Sequence, residues 1–129
     1  MNKTPIFLES GIGESGAICL AMVLAYYGSF PKLNTVKTAC NASNNEILPE
    51  NLYKTASHFG FIAKYNTNKT IDISIDSPII IKTTSGVYIL IIKENKNDYL
   101  IHDTERGAQK ITKQKLKNIY GGWSLKLTP

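Results

Sequence analysis

The longest apolar run in the chain covers residues 17–27, within a segment, 16–27, that is rich in good helix formers. Gly28 follows directly and is a natural C-terminal stop for a helix. Because the segment is apolar on almost every side, it predicts a helix in the middle of a domain, with other elements packed around it. The N-terminus of this helix must fall within residues 13–15. The run is well short of the ~20 residues that a bilayer crossing needs.

Two further helices are predicted before residue 60. The second begins after Pro31 and ends in the polar stretch 41–45. The third follows Leu48, with Pro49 suited to the first helical position and Gly60 as its stop. Apolar residues at helical spacing mark both of them: Leu33, Val36, Ala39 and Cys40 in the second, and Leu52, Tyr53, Ala56 and Phe59 in the third.

After Gly60 the pattern changes to short runs rich in β-branched and aromatic residues. Strands are predicted at 61–65, 78–82, 87–93, 99–102 and 123–127, with a hairpin turn at 95–98 and a short late helix at 112–119. Helices followed by antiparallel strands indicate the α+β class, with the N-terminal helices packed on a C-terminal sheet. The 129 residues are about one domain's worth, so a single domain is expected over residues 1–129.

The charge of the chain is unevenly distributed. The sequence has 15 Lys and Arg against 10 Asp and Glu, and all ten acids precede Arg106. The excess of basic residues therefore lies in the C-terminal part, from Arg106 to Lys126. Nucleic-acid binding would call for aromatic residues interleaved with this cluster, and it offers only Tyr120 and Trp123. We interpret the cluster as a solvated basic face and expect no nucleic-acid partner.

The cysteines and the N-terminus point to reduced, cytosol-facing chemistry. Cys19 and Cys40 form no C-x-x-C pair, so neither a zinc site nor a disulfide framework is implied, and no metal is expected. The first nine residues have too short an apolar run for a signal peptide, and Glu9 interrupts it.

The beginning of the first helix carries the strongest motif. A helix N-terminus stabilises a thiolate, so the start of a buried central helix is where a cysteine protease keeps its nucleophile. Residues 14–22 read ESGAICLAM and are followed by YYG at 26–28. This segment closely resembles the peptidase C39 family. The members are cytosolic, papain-like domains at the N-terminus of ABC exporters, and they cleave double-glycine leader peptides from bacteriocins.

Weaker matches follow in the order that the family has them, so the resemblance covers nearly the whole chain. Residues 52–61 look like the family's third helix, and 78–81 look like the strand that leads to its histidine. Residues 103–107 resemble its Asp-Pro-x-x-Gly turn, and 121–123 resemble its closing strand. The resemblance implies a papain-like cysteine protease fold.

The catalytic residues carry over poorly. The resemblance places the nucleophilic cysteine at Ser15, the general-base histidine at Val87, the oxyanion-stabilising glutamine at Glu9 and the orienting acid at Asp103. A serine hydroxyl is a far weaker acid than a thiol and needs an adjacent base, and Val87 cannot accept a proton. The carboxylate of Glu9 would repel a developing oxyanion.

Neither histidine of the chain is expected to replace the missing base. His102 precedes Asp103 on a predicted strand, where neighbouring side chains point to opposite faces. His58 lies late on the third helix, where a partly exposed or hydrogen-bonded histidine is common. Two of the four catalytic positions also have a possible structural role. Ser15 is suited to the N-cap of the first helix, and Asp103 is suited to a turn.

We therefore expect a catalytically inactive C39-like domain of a peptide or bacteriocin ABC exporter, which binds the cargo or its leader at the cytosolic face of the membrane. Tyr26, Tyr27, Tyr53 and Phe59 are candidates for the wall of a peptide groove, with core packing as their alternative. The expected partners are the leader or cargo peptide and the exporter's transmembrane and ATPase domains. No cofactor is expected here, and ATP only in a following ATPase domain. The alternative is an active C39 peptidase that carries a Cys-to-Ser change at position 15.

Overall fold

Three helices precede an antiparallel sheet in the computed structural model, which describes residues 14–40, 47–70 and 75–129. The helices are α1 (Ser15–Tyr26), α2 (Leu33–Ala39) and α3 (Pro49–His58). The strands are β1 (Ile62–Asn66), β2 (Ile79–Thr83), β3 (Tyr88–Glu94), β4 (Asp98–Asp103), β5 (Gly107–Thr112) and β6 (Tyr120–Thr128), and α4 (Lys113–Ile119) lies between the last two. The expected α+β class is confirmed.

The six strands form one sheet in the order β1-β6-β2-β3-β4-β5, and every neighbouring pair is antiparallel. The last strand, β6, is inserted between β1 and β2. The C-terminal part of the chain thereby joins β1 to the rest of the sheet.

The protein has two hydrophobic cores, one on each face of the sheet, and helix α1 is the centre of the larger one. Its residues from Ser15 to Ala25 are all buried, as its uniformly apolar sequence predicts. It packs against α2 and α3 on one side and against β2 and β3 on the other. From the sheet, Leu90, Trp123 and Leu125 contribute to this core.

A second core covers the other face of the sheet. Ile79 and Ile81 of β2 point into it, whereas Ile80 between them points towards α1. This alternation follows from the two-residue period of a strand. Leu116 of α4 packs on the second core. Strands β2 and β3 are therefore covered on both faces, which explains why they read as continuous apolar runs.

The predicted helices and four of the five predicted strands lie within two residues of the observed ones. Gly28 and Gly60, the predicted helix stops, both have positive φ, 85° and 87°, which is a conformation that favours glycine. The predicted turn at 95–98 is confirmed by a hydrogen bond from the Asn95 amide to the Asp98 carbonyl, 2.8 Å. The fifth strand was predicted at 123–127 and already begins at Tyr120.

The sequence-based prediction missed β5. This strand lies at an edge of the sheet, and only Gly107 and Ile111 in it are buried. Its other positions hold Ala108 and three polar residues, so it has no apolar run by which it could be recognised.

Candidate functional site

Ser15 lies in the first turn of α1, at the position that the resemblance gives to the nucleophile. The side chain is buried, with 6% of the residue exposed. Its Oγ accepts a hydrogen bond from the backbone amide of Tyr88, 3.0 Å away on β3. The interpretation of Ser15 as an N-cap is wrong: Glu14 occupies that position and pairs with Lys37. The serine hydroxyl instead joins the helix to the sheet.

Tyr88 holds the same region together through its side chain. Its hydroxyl donates to the carbonyl of Ile47 at 2.7 Å. Its ring lies so close to Gly16 that a Cβ at that position would be 3.1 Å from the nearest ring carbon. The edge of Trp123 meets the ring at a centroid distance of 6.0 Å. The first turn of α1 is therefore packed tightly against the beginning of β3.

Val87, at the position of the family's histidine, lies just before β3 and two residues before Ile89. Ile89 pairs across the sheet with Asp103. Strand alternation therefore places Val87 and Asp103 on one face, and both line a cleft of about 350 Å³. The structure brings these two positions together, but the described lining of that cleft does not include Ser15.

The carboxylate of Asp103 makes hydrogen bonds within its own turn. One of its oxygens, Oδ1, accepts from the amides of Glu105 at 2.8 Å and Arg106 at 3.3 Å. These bonds define the turn between β4 and β5, which is the structural role that the sequence allowed for Asp103. Glu9, the fourth position of the carried-over set, lies outside the described residues.

Neither of the two histidines hydrogen-bonds to Ser15 in the part of the chain that the structure describes. His58 is exposed at the end of α3, with its ring against Phe59. His102 is adjacent to Asp103 but points to the opposite face of β4, and it is 5% exposed. Burial lowers the pKa of His102, which favours its neutral form. Its Nδ1 has no hydrogen-bond partner among the described residues.

The four aromatic residues expected to form a groove do not come together. Tyr27 and Phe59 pack against the larger core, and the hydroxyl of Tyr27 donates to the carbonyl of Leu127 at 3.1 Å. Tyr26 lies beside Tyr27, with a ring-centroid distance of 4.9 Å. Tyr53 lies elsewhere and is 37% exposed.

Tyr53 lines a different cleft, of about 400 Å³, which we call the aromatic cleft. The described residues that line it are Pro49, Glu50, Tyr53, Tyr65 and Trp123. The rings of Tyr53 and Tyr65 meet edge to face at 5.4 Å. Trp123 of this cleft also contacts Tyr88, whose ring packs against Gly16 in the first turn of α1. No local pattern indicated that Tyr65 and Trp123, on strands far apart in the chain, would line one cleft with Tyr53.

No group of three His, Cys, Asp or Glu side chains that could hold a metal ion occurs among the described residues. In the same part of the chain, every helix falls short of the length and apolar character that a membrane crossing requires.

A central helix buried between helices and a sheet, with its first turn held against a strand, is the arrangement of the papain-like peptidase domains. The model of the peptidase C39 family matches residues 3–129. The chain therefore belongs to the peptidase C39 family.

Solved structures agree with this assignment. One of them is a double-glycine-motif protease from an AMS/PCAT transporter, crystallised in complex with the leader peptide. It superposes on this chain with a TM-score of 0.91 at 26% sequence identity. The match covers 98% of this chain and 92% of the protease chain. The peptidase domain of Streptococcus ComA, an ABC transporter of a quorum-sensing pathway, has a TM-score of 0.86 at 15% identity, with 98% and 99% of the two chains covered. These likenesses confirm the papain-like fold.

A curated relative, the colicin V secretion/processing ATP-binding protein CvaB of Escherichia coli, is 20% identical over 98% of this chain. The match covers 18% of that protein. The chain thus spans under a fifth of the relative's length.

Proposed function

We propose that this chain is a C39 domain of an ABC exporter that binds the leader or cargo peptide without cleaving it. The observation that carries the proposal is the state of Ser15. Its hydroxyl is buried and accepts a hydrogen bond from the Tyr88 amide, and neither histidine hydrogen-bonds to it. The described residues therefore provide no histidine that could take the proton of this serine.

The chemistry of the other positions supports the same conclusion. A serine hydroxyl becomes a nucleophile only when a neighbouring base accepts its proton during the attack. Val87 has an aliphatic side chain, and the Asp103 carboxylate already accepts two amide hydrogens of its own turn. Among the described residues, a peptide bond beside the first turn of α1 would meet neither a histidine base nor a hydroxyl activated by one.

The aromatic cleft is the surface that we assign to the peptide. It is connected to the first turn of α1 through Trp123 and Tyr88, and it presents Tyr53 and Tyr65, which are 37% and 59% exposed. Exposed aromatic rings around a concave site are typical anchors for apolar peptide side chains. A related protease was crystallised with its leader peptide, which supports a peptide as the ligand.

The names of the relatives support the exporter context. In this setting the domain acts at the cytosolic face of the membrane, beside the transmembrane and ATPase domains of the exporter. It needs no cofactor of its own, and ATP serves only the ATPase domain.

Binding is tested by titrating double-glycine leader peptides into the labelled protein and following amide signals by NMR. Tyr65→Ala is expected to weaken binding about tenfold, because it removes one wall of the aromatic cleft. Phe30→Ala is the matched control, since Phe30 is 75% exposed and lies outside the cleft. Binding that Tyr65→Ala leaves intact would contradict the assigned surface. If no leader or cargo peptide binds at all, the proposed function is wrong.

The active-peptidase alternative is tested with Ser15→Cys. We expect this variant to release no product from a Gly-Gly substrate, because a thiol at position 15 would still lack a base. A C39 peptidase that retains its cysteine and histidine serves as the positive control. Measurable turnover by Ser15→Cys would show that the domain is a peptidase inactivated by a single substitution.

A further inference from the structure

A second concave site lies under α4, on the opposite face of the sheet from α1. It has a volume of about 300 Å³, and we call it the α4 pocket. Its main lining residues are Tyr99, Leu116, Tyr120, Lys69, Lys113 and Lys117. The first three belong to the second core, so the floor of the pocket is apolar and well packed.

The α4 pocket is separate from the proposed peptide site. Tyr99 and Tyr120 belong to the second core, whereas Trp123 of the aromatic cleft belongs to the larger core on the other face of the sheet. None of the described residues lines both sites. A function of the α4 pocket therefore goes beyond the proposed peptide binding.

Three lysines surround this apolar floor, and only one of them has its charge neutralised by an ion pair with a described acidic residue. Lys113 forms an ion pair with Glu94 at 3.0 Å, and its ammonium group lies 5.5 Å from the centre of the Tyr99 ring. Lys69 and Lys117 form no ion pair with the described residues. The described surroundings of the pocket therefore keep an excess of positive charge beside buried apolar rings.

Such a combination selects for a ligand with two parts. A small inorganic anion would interact with solvated lysines and leave the apolar floor uncovered, so it would gain little. A neutral apolar molecule would cover the floor but bring its surface next to unneutralised ammonium groups. An anion carried on an apolar chain satisfies both parts of the pocket.

We propose that the α4 pocket binds an amphiphilic anion, with an apolar chain between Tyr99, Leu116 and Tyr120. The phosphate or carboxylate of the ligand lies between Lys69 and Lys117. An anionic membrane lipid and a soluble amphiphile both have this chemistry, and the two sources are separated by experiment.

The first experiment titrates octyl phosphate, below its micelle concentration, into the labelled protein. Signals of Tyr99, Leu116 and Tyr120 are expected to shift, whereas inorganic phosphate and octanol produce much weaker shifts at the same concentration. If either of these two binds as well as octyl phosphate does, or if octyl phosphate produces no shift, the proposal is wrong.

Two charge reversals show whether the pocket or the overall charge attracts the ligand. Lys117→Glu is expected to weaken octyl phosphate binding by at least about tenfold, a change of ~1.4 kcal/mol. Lys110→Glu is the matched control: it makes the same charge change on β5, where Lys110 pairs with Leu100 and points away from the face that carries Tyr99 and Ile111. Both lysines are exposed, so both variants are expected to fold, which thermal melts verify. Equal loss of binding in the two variants overturns the proposal.

Sedimentation with phosphatidylglycerol vesicles identifies the source of the ligand. Retention on these vesicles that Lys117→Glu abolishes and Lys110→Glu preserves supports an anionic membrane lipid. Octyl phosphate binding without vesicle retention supports a soluble amphiphile. Retention that both variants lose equally is a general charge effect and contradicts a lipid site in the α4 pocket.

Discussion

At the scale of single residues, Ser15 shows how a catalytic position can serve the fold. In a papain-like domain the first turn of the central helix is where the nucleophile acts. Here the side chain is buried and its oxygen accepts the Tyr88 amide, 73 positions away in the chain. A buried amide needs a partner, because an unsatisfied one costs free energy. The hydroxyl therefore stabilises the contact between α1 and β3.

We predict that Ser15→Ala lowers the free energy of unfolding by about 1–3 kcal/mol, because the Tyr88 amide loses this acceptor in a buried place. Urea unfolding followed by circular dichroism measures the change. Ser57→Ala is the matched control: Ser57 is exposed and its hydroxyl bonds to the carbonyl of Tyr53 in its own helix. The control should change stability by no more than about 0.5 kcal/mol. Equal effects of the two substitutions would contradict a stabilising role for Ser15.

At the scale of elements, α4 depends on its surroundings more than on its own sequence. It has seven residues, too few for an isolated helix to be stable in water. Its first turn carries Lys113 and Lys115, and positive charge is unfavourable at a helix N-terminus. Leu116 attaches it to the second core. The Thr112 hydroxyl caps it by accepting the Lys115 amide at 3.1 Å.

Thr112→Ala is expected to destabilise the protein by about 1 kcal/mol, because the first turn of α4 loses its cap. Thr112→Ser keeps the hydroxyl and should retain most of the stability. Hydrogen exchange of the α4 amides gives the local effect, and urea unfolding gives the global one. If the serine variant is as unstable as the alanine variant, the cap is not the cause.

At the scale of the whole molecule, the charge distribution is more balanced than the sequence suggests. Two lysines of the basic C-terminal part form ion pairs with acids from earlier segments: Lys113 with Glu94 and Lys126 with Asp76. Hydrogen bonds from these lysines lower the pKa of both carboxyl groups. The Lys126–Asp76 pair is exposed and the Lys113–Glu94 pair is half-buried, and pairs in such solvated places contribute little to stability. Among the described residues, the buried His102 is the group that we expect to link folding to pH near neutrality, because burial lowers its pKa.

The sign of this pH dependence follows from the lowered pKa of His102. An unfolded chain protonates this histidine near its ordinary pKa of ~6.5, while burial disfavours the charged ring in the folded state. As pH falls below about 6.5, the unfolded state binds more protons and the free energy of unfolding decreases. The carboxyl groups, with lowered pKa values, lose their contribution only at a more acidic pH, so the two effects can be separated.

We therefore predict a loss of stability between pH 7.5 and pH 5.5 that His102→Leu reduces. Leucine suits the site because position 102 lies opposite Leu90 on β3. His58→Gln is the control, since His58 is exposed. Urea unfolding at the two pH values measures the difference. An unchanged pH dependence in His102→Leu would show that another group is responsible.

Local sequence patterns were enough to predict the elements that carry an apolar signal of their own. The uniformly apolar α1, the helix stops at Gly28 and Gly60 and four of the strands follow from periodicity and backbone preferences. The motif at residues 14–22 indicated the family. These features are predictable because each depends on residues that are neighbours in the chain.

Which distant residues come into contact depends on how the elements pack together. Strand β5 has no continuous apolar run and is held in the sheet by its pairing with β4, so no local pattern indicates it. The partner of the Ser15 hydroxyl and the aromatic cleft depend on strands brought together by the sheet order, with β6 inserted between β1 and β2. Contacts between residues far apart in the chain are set by the packing of whole elements, because the free energy that selects them comes from burial summed over the entire core.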